Sequence, residues 1–196
     1  LWGRFHLVPL GPEELLSAIV RVTDLESAAQ RARIKDQQAL RARIVKEYAF
    51  LFVADEEDDE PDYSGTISQA LALINGPLVV EAGRALPGSA LAELLAAPGS
   101  DADKVEALTL RALARRPTPE ELERWVAFVR PAVDAPPPRP APKPSATPGG
   151  PRRGPAARRG PLERLADRRR PVSARDAAYE DLLWSFLNSS EFTFNH

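Results

Sequence analysis

The chain has 196 residues, 43% of them hydrophobic, with 26 Lys and Arg against 28 Asp and Glu and a formal net charge of -2. That is enough apolar material for one domain with a modest core, and the lack of any cysteine excludes a disulfide framework, a thiolate nucleophile and a Cys-based metal site. No window reaches the roughly 18 consecutive apolar residues of a membrane span, and nothing near Leu1 joins a basic patch to an apolar stretch as a signal peptide would.

In chain order, Gly11-Pro12-Glu13-Glu14 opens a helix with proline in the first turn and glutamates where the helix dipole favours negative charge. Leu15, Ala18, Ile19 and Val22 follow at helical spacing. An acidic run from Asp55 to Asp62, DEEDDEPD, separates this helix from the next, which carries Ile67, Ala70, Leu71 and Ile74 on one face. Asn75-Gly76-Pro77 ends that helix and lets another begin, because glycine accepts a left-handed cap and proline cannot continue the helix before it. Asp101 to Arg130 reads as helix, turn, helix. Thr118-Pro119-Glu120-Glu121 supplies a cap, a first-turn proline and an N3 glutamate in capping-box order ahead of Leu122, Trp125, Val126 and Val129.

From Pro136 to Pro171 the character changes: the stretch holds eleven of the chain's 20 prolines and ten Lys or Arg against two acids. Too little apolar surface is present to offset the entropy of ordering it, so a disordered or polyproline-like insert is expected there. Ser173 with Asp176 then offers a start for a last helix, whose Tyr179, Leu182, Leu183, Trp184, Phe186 and Leu187 carry far more apolar area than an isolated helix tolerates. Each such side chain gains about 1.5 to 3 kcal/mol on burial. This helix must therefore return to those before the insert, with Phe192 and Phe194 pinning its end. No segment alternates with period two. The expected fold is all-α: a compact multi-helix domain with a helical core over 1–135, a long disordered Pro/Arg-rich insert over 136–171, and a C-terminal helix over 172–196 packing back on the same core.

Four segments, PLGPEELLSAIVRVTDL (Pro9 to Leu25), SGTISQALALINGPLV (Ser64 to Val79), RALARRPTPEEL (Arg111 to Leu122) and AYEDLLWSFLNSSEFTFNH (Ala178 to His196), together resemble bacterial domain-of-unknown-function family 1553. They stand in the family's order, and the resemblance spans most of the chain outside the insert. The resemblance implies the closing domain of a large exported protein of planctomycete type, with upstream parts that often include a cytochrome c domain. It thus implies an extracytoplasmic location, in the periplasm or at the cell surface, and upstream domains of the same polypeptide as partners, together with an extracytoplasmic protein or polysaccharide. Haem would belong to an upstream domain; no cofactor is expected in this segment. The family has no accepted catalytic residues, and the long Pro-Arg insert departs from its usual short connection. With Leu1 first and no Met in the chain, the sequence is in keeping with the C-terminal piece of something longer.

The residues argue for little chemistry of their own. His6 and His196, the only imidazoles, lack metal-ligand spacing, and the acidic run lacks the pattern of a calcium loop, so no metal site is expected. The pairs Glu13-Glu14 and Glu120-Glu121 read as first-turn charges before they read as an acid and a base. There is no nucleophile elbow and no phosphate-binding glycine loop, and Ser189 and Ser190 have no acid-base framework. The clusters Arg152-Arg153, Arg158-Arg159 and Arg168-Arg169-Arg170 have no interleaved aromatics to stack bases, which argues against nucleic acid. Catalytic residues are unknown. The polar residues within the family-like segments, Gln69, Asn75, Asn188 and Glu191, are the candidates for binding, and for each of them capping or bridging helices is the simpler role.

Three functions are compatible with this pattern. The leading one is a noncatalytic helical interaction or assembly module at the C-terminus of a larger exported protein. In the second, the segment completes a hydrolytic or redox active site formed mainly by upstream domains. In the third, the basic insert binds a polyanion.

Overall fold

The computed structural model describes residues 8–10, 12–31, 77–130 and 173–195. They form an all-helical core: α1 (Pro12–Thr23), α2 (Leu25–Arg31), α3 (Pro77–Ala82), α4 (Ala90–Ala96), α5 (Asp101–Leu113), α6 (Pro119–Val129), α7 (Ala174–Leu187) and the single turn α8 (Ser190–Thr193). The one departure from an all-helical reading is a two-residue pairing of β1 (Val8–Pro9) with β2 (Phe194–Asn195), antiparallel, with Val8 opposite Asn195 and Pro9 opposite Phe194. Two residues cannot show a period, so composition carries no trace of this pairing. Leu10 N–H extends it by donating to Thr193 O at 2.9 Å. The expected helix over Ile67 to Ile74, the acidic run and the Pro-Arg insert lie outside the described residues.

Local chemistry sets the helix starts. At α5, Ser100 Oγ accepts from Asp103 N–H at 3.2 Å while the Asp103 carboxylate accepts from Ser100 N–H at 2.8 Å, a complete capping box. At α6 the expected box is present, with Thr118 N–H donating to Glu121 Oε2 at 2.9 Å and Pro119 in the first turn. Ser173 caps α7 by accepting from Asp176 N–H at 3.0 Å.

Helix ends are served by cations from α5. The buried Lys104 ammonium donates to Leu95 O at 2.8 Å and Ala97 O at 2.6 Å, carbonyls that the end of α4 leaves without intrahelical donors. Arg111 does the same for α1, with Nε donating to Val22 O at 2.5 Å. One helix thus ties the ends of two others to itself.

Apolar burial follows the same plan. α5 packs on α4, α6 and α7, and α7 also meets α3 and α6. Tyr179, Leu182, Leu183, Phe186 and Leu187 are buried, an arc of about 140° at roughly 100° per residue. Leu15, Ile19, Leu25, Val79, Leu91, Val105 and Leu108 complete the centre. Trp125 meets Phe186 edge-on, with ring centroids 4.8 Å apart and planes at 69°.

α5 ends on Ala114, whose φ of 55° lies in the left-handed region. A side chain there is strained by about 1 to 2 kcal/mol, partly offset in comparison with glycine by the latter's larger unfolded-state entropy. Ala114→Gly is therefore expected to stabilise the fold by about 0.5 to 1 kcal/mol in urea unfolding. An unchanged or lower midpoint would mean that the backbone relaxes around Ala114 at no cost.

Candidate functional site

Two charged clusters dominate the described residues, and both sit on α5 or immediately after it. The first centres on Arg115. Ala114, in its left-handed conformation, turns the chain out of α5 just before this residue. Arg115 Nε and Nη2 form a fork onto Glu191, with Nη2 to Oε2 at 2.9 Å, while Nη1 and Nη2 reach Glu121 Oε2 and Oε1 at 2.7 and 2.9 Å. The remaining Nη1 proton goes to Arg116 O at 3.2 Å. A guanidinium has five N–H donors, and all five are engaged. This arginine joins the start of α6 to α8 and has no donor left for a ligand.

The electrostatics agree with that reading. The hydrogen bonds from Arg115, with the backbone bond from Thr118, pull the Glu121 carboxyl from 4.5 down to about 2. Glu121 and then Glu191 push the Arg115 guanidinium up, making it still harder to deprotonate.

The second cluster centres on Asp101, in the first turn of α5. Its Oδ1 accepts from Arg175 Nη2 at 2.6 Å, from Arg175 Nε at 3.1 Å and from the Tyr179 hydroxyl at 3.0 Å, and its Oδ2 lies 3.5 Å from Arg130 Nε. The Arg175 guanidinium also lies 5.5 Å from the centre of the Tyr179 ring. Arg175, ahead of the opposing effect of burial, holds the Asp101 carboxyl below its ordinary value. Burial, and then the bond to Asp101, push the Tyr179 phenol up. A carboxylate held ionised beside a phenol held neutral is a stable pair at neutral pH and not one poised to move a proton.

Of the four residues proposed from sequence, Asn188 and Glu191 lie among the described residues. Gln69 and Asn75 lie outside the described residues, as do His6, His196 and the arginine clusters. Asn188 ends α7: its Nδ2 donates to Trp184 O at 2.8 Å, and its Oδ1 is buried without a hydrogen-bond partner. Glu191 is the acidic end of the Arg115 clamp. Ser189 caps α8, with Oγ donating to Phe186 O at 2.7 Å and accepting from Phe192 N–H at 3.2 Å.

Sequence reasoning passed over Arg115, Asp101 and Arg175. One signal was available, since a tyrosine within an apolar stripe needs a polar partner for its hydroxyl, but nothing in the sequence says that Asp101 provides it. Among the described residues no group of three or more His, Cys, Asp or Glu could hold a metal ion, and no helix is long and apolar enough to cross a membrane.

The two clusters make an acid-labile joint. A carboxylate whose folded value is depressed stabilises the fold fully above its ordinary value and loses that contribution as pH falls towards the folded value. For Glu121 the window runs from about 4.5 down to about 2. The unfolding free energy should therefore fall across this window by about 1 to 2 kcal/mol, discounted for solvent screening at a site a quarter to a third exposed. In Glu121→Gln the drop should be smaller; an equal drop would place the acid-sensitive groups elsewhere. No family model, curated protein or solved structure matches the chain.

Proposed function

We propose that this chain is a noncatalytic helical assembly module that closes a larger exported protein of the family 1553 type. The observation that carries the reading is the division of labour on α5 and α6. The charged clusters at their ends join helices to one another, whereas the large apolar side chains Phe128 on α6 and Leu110 on α5 stay 53% and 41% exposed. Exposed aromatic and aliphatic groups on a rigid helical base suit a protein partner, and the upstream part of the same polypeptide is the partner that the family resemblance implies. An extracytoplasmic location comes with that resemblance.

The test is calorimetric titration of the folded chain with the separately expressed upstream region at two salt concentrations. Salt-insensitive binding, weakened about tenfold in Phe128→Ala with the melting temperature unchanged, supports the reading. A folded chain that binds nothing, or that binds equally well without Phe128, overturns it.

One group favours a second reading, in which the segment completes a site built mainly upstream: the buried Asn188 Oδ1 that accepts no hydrogen bond. Asn188→Ala in the longer parent would then abolish an activity without lowering the melting temperature. Unchanged turnover removes this reading.

A further inference from the structure

We propose that residues 173–195 are a docking segment that holds its seat on the helical core through noncovalent contacts alone, with Asp101 as the residue that positions its leading end. The inference concerns the chain's own segment and does not rest on the assembly reading above.

Three observations converge on it. The segment inserts a row of large anchors, Tyr179, Leu182, Leu183, Phe186, Leu187 and Phe192, all buried. Such a row, at i, i+3, i+4 and i+7, is how an amphipathic helix binds a groove on another protein. Polar contacts then fix both ends and the middle: Arg175 on Asp101 at 2.6 Å, the Ala85 N–H on Glu180 Oε1 at 3.0 Å, and Glu191 on Arg115 at 2.9 Å. These set the segment's register and direction along the groove, because a slip of one turn would carry both ionic ends past their partners by about 5.4 Å.

The third observation is a carboxylate that the core and the segment share. Arg130, just after α6, meets the same carboxylate as Arg175, near the start of the segment. One side chain on α5 thus holds the end of α6 and the start of the segment. The contacts that seat the segment are noncovalent, so in the proposed arrangement its covalent connection serves to raise its local concentration. The groove accordingly fits a helix with an arginine in its first turn, a tyrosine one turn later and a glutamate just beyond its end.

The test uses the full chain with a specific protease site placed between Ser145 and Ala146, cut to completion. The two fragments are expected to elute together at about 10 µM, with their dissociation constant read by dilution of a labelled complex. Asp101→Asn, which keeps the first-turn polar group of α5, should raise that constant about tenfold, and Arg175→Gln should do the same. The double variant should lose less than the two single changes added together, since both break the contact between Arg175 and Asp101. Fragments that separate on cutting the unsubstituted chain, or a dissociation constant unmoved by either substitution, overturn the proposal. Circular dichroism of the uncut variants shows whether each is folded, and Arg175→Gln keeps the test decisive if Asp101→Asn is not.

Discussion

Replacing Phe186 by alanine is expected to destabilise the fold by about 3 to 5 kcal/mol, the range for truncating a buried aromatic side chain. Phe186 is 4% exposed and lies in the middle of the α7 face. Its ring meets the edge of Trp125 on α6, and it belongs to the helix that also contacts α3, α4 and α5. Truncation therefore opens a cavity where several helices meet, and no neighbour can fill it without withdrawing from another contact. Phe186→Leu retains most of the volume and should lose only about 1 to 2 kcal/mol, chiefly the edge-to-face contact and its shape. Urea unfolding followed by Trp fluorescence measures both. If Phe186→Ala loses no more than Phe186→Leu, then α7 is not the centre of the core.

Arg115→Ala carries the next largest effect, about 2 to 3 kcal/mol. That is between the small value of an exposed ion pair and the 3 to 5 kcal/mol of breaking a buried one. The three side chains are a quarter to a third exposed, which sets the intermediate size. Removing the guanidinium leaves Glu121 and Glu191 without the cation that joined them, and α8 loses its ionic tie to the start of α6. Arg115→Lys should recover less than half of the loss, because an ammonium with three donors cannot fork onto two carboxylates at once. A double-mutant cycle with Glu191→Gln isolates the pair. Coupling near zero would mean that the clamp is a surface contact and that α8 is held chiefly by burial of Phe192 and its backbone hydrogen bonds.

Much of the fold was legible in the sequence, through features that act over one or two turns. The Thr118 to Glu121 box, Pro119 in the first turn of α6, the Ser173 start of α7 and the buried faces Leu15 with Ile19 and Leu182 with Leu183 and Phe186 are all set by neighbours three or four residues away. Polar residues separated by many positions behaved differently. Glu191 was singled out as a binding candidate because it stands in a family-like segment, yet its partner, Arg115, lies 76 residues earlier. Arg175 and Tyr179 find Asp101 across 74 and 78 residues.

What the sequence by itself determined is the all-helical class, where several helices begin, and which side of each is apolar. Those properties arise from backbone hydrogen bonding, capping and period, which any isolated stretch of the chain already contains. Only the tertiary structure decided which charges meet. It made Arg115 and Asp101 into joints, placed Lys104 and Arg111 over the open ends of other helices, and left Asn188 Oδ1 buried without a partner. An ion pair is specified by where two helices pack, and that placement is set by burial of faces that are not directional, so no local pattern of charge foretells it.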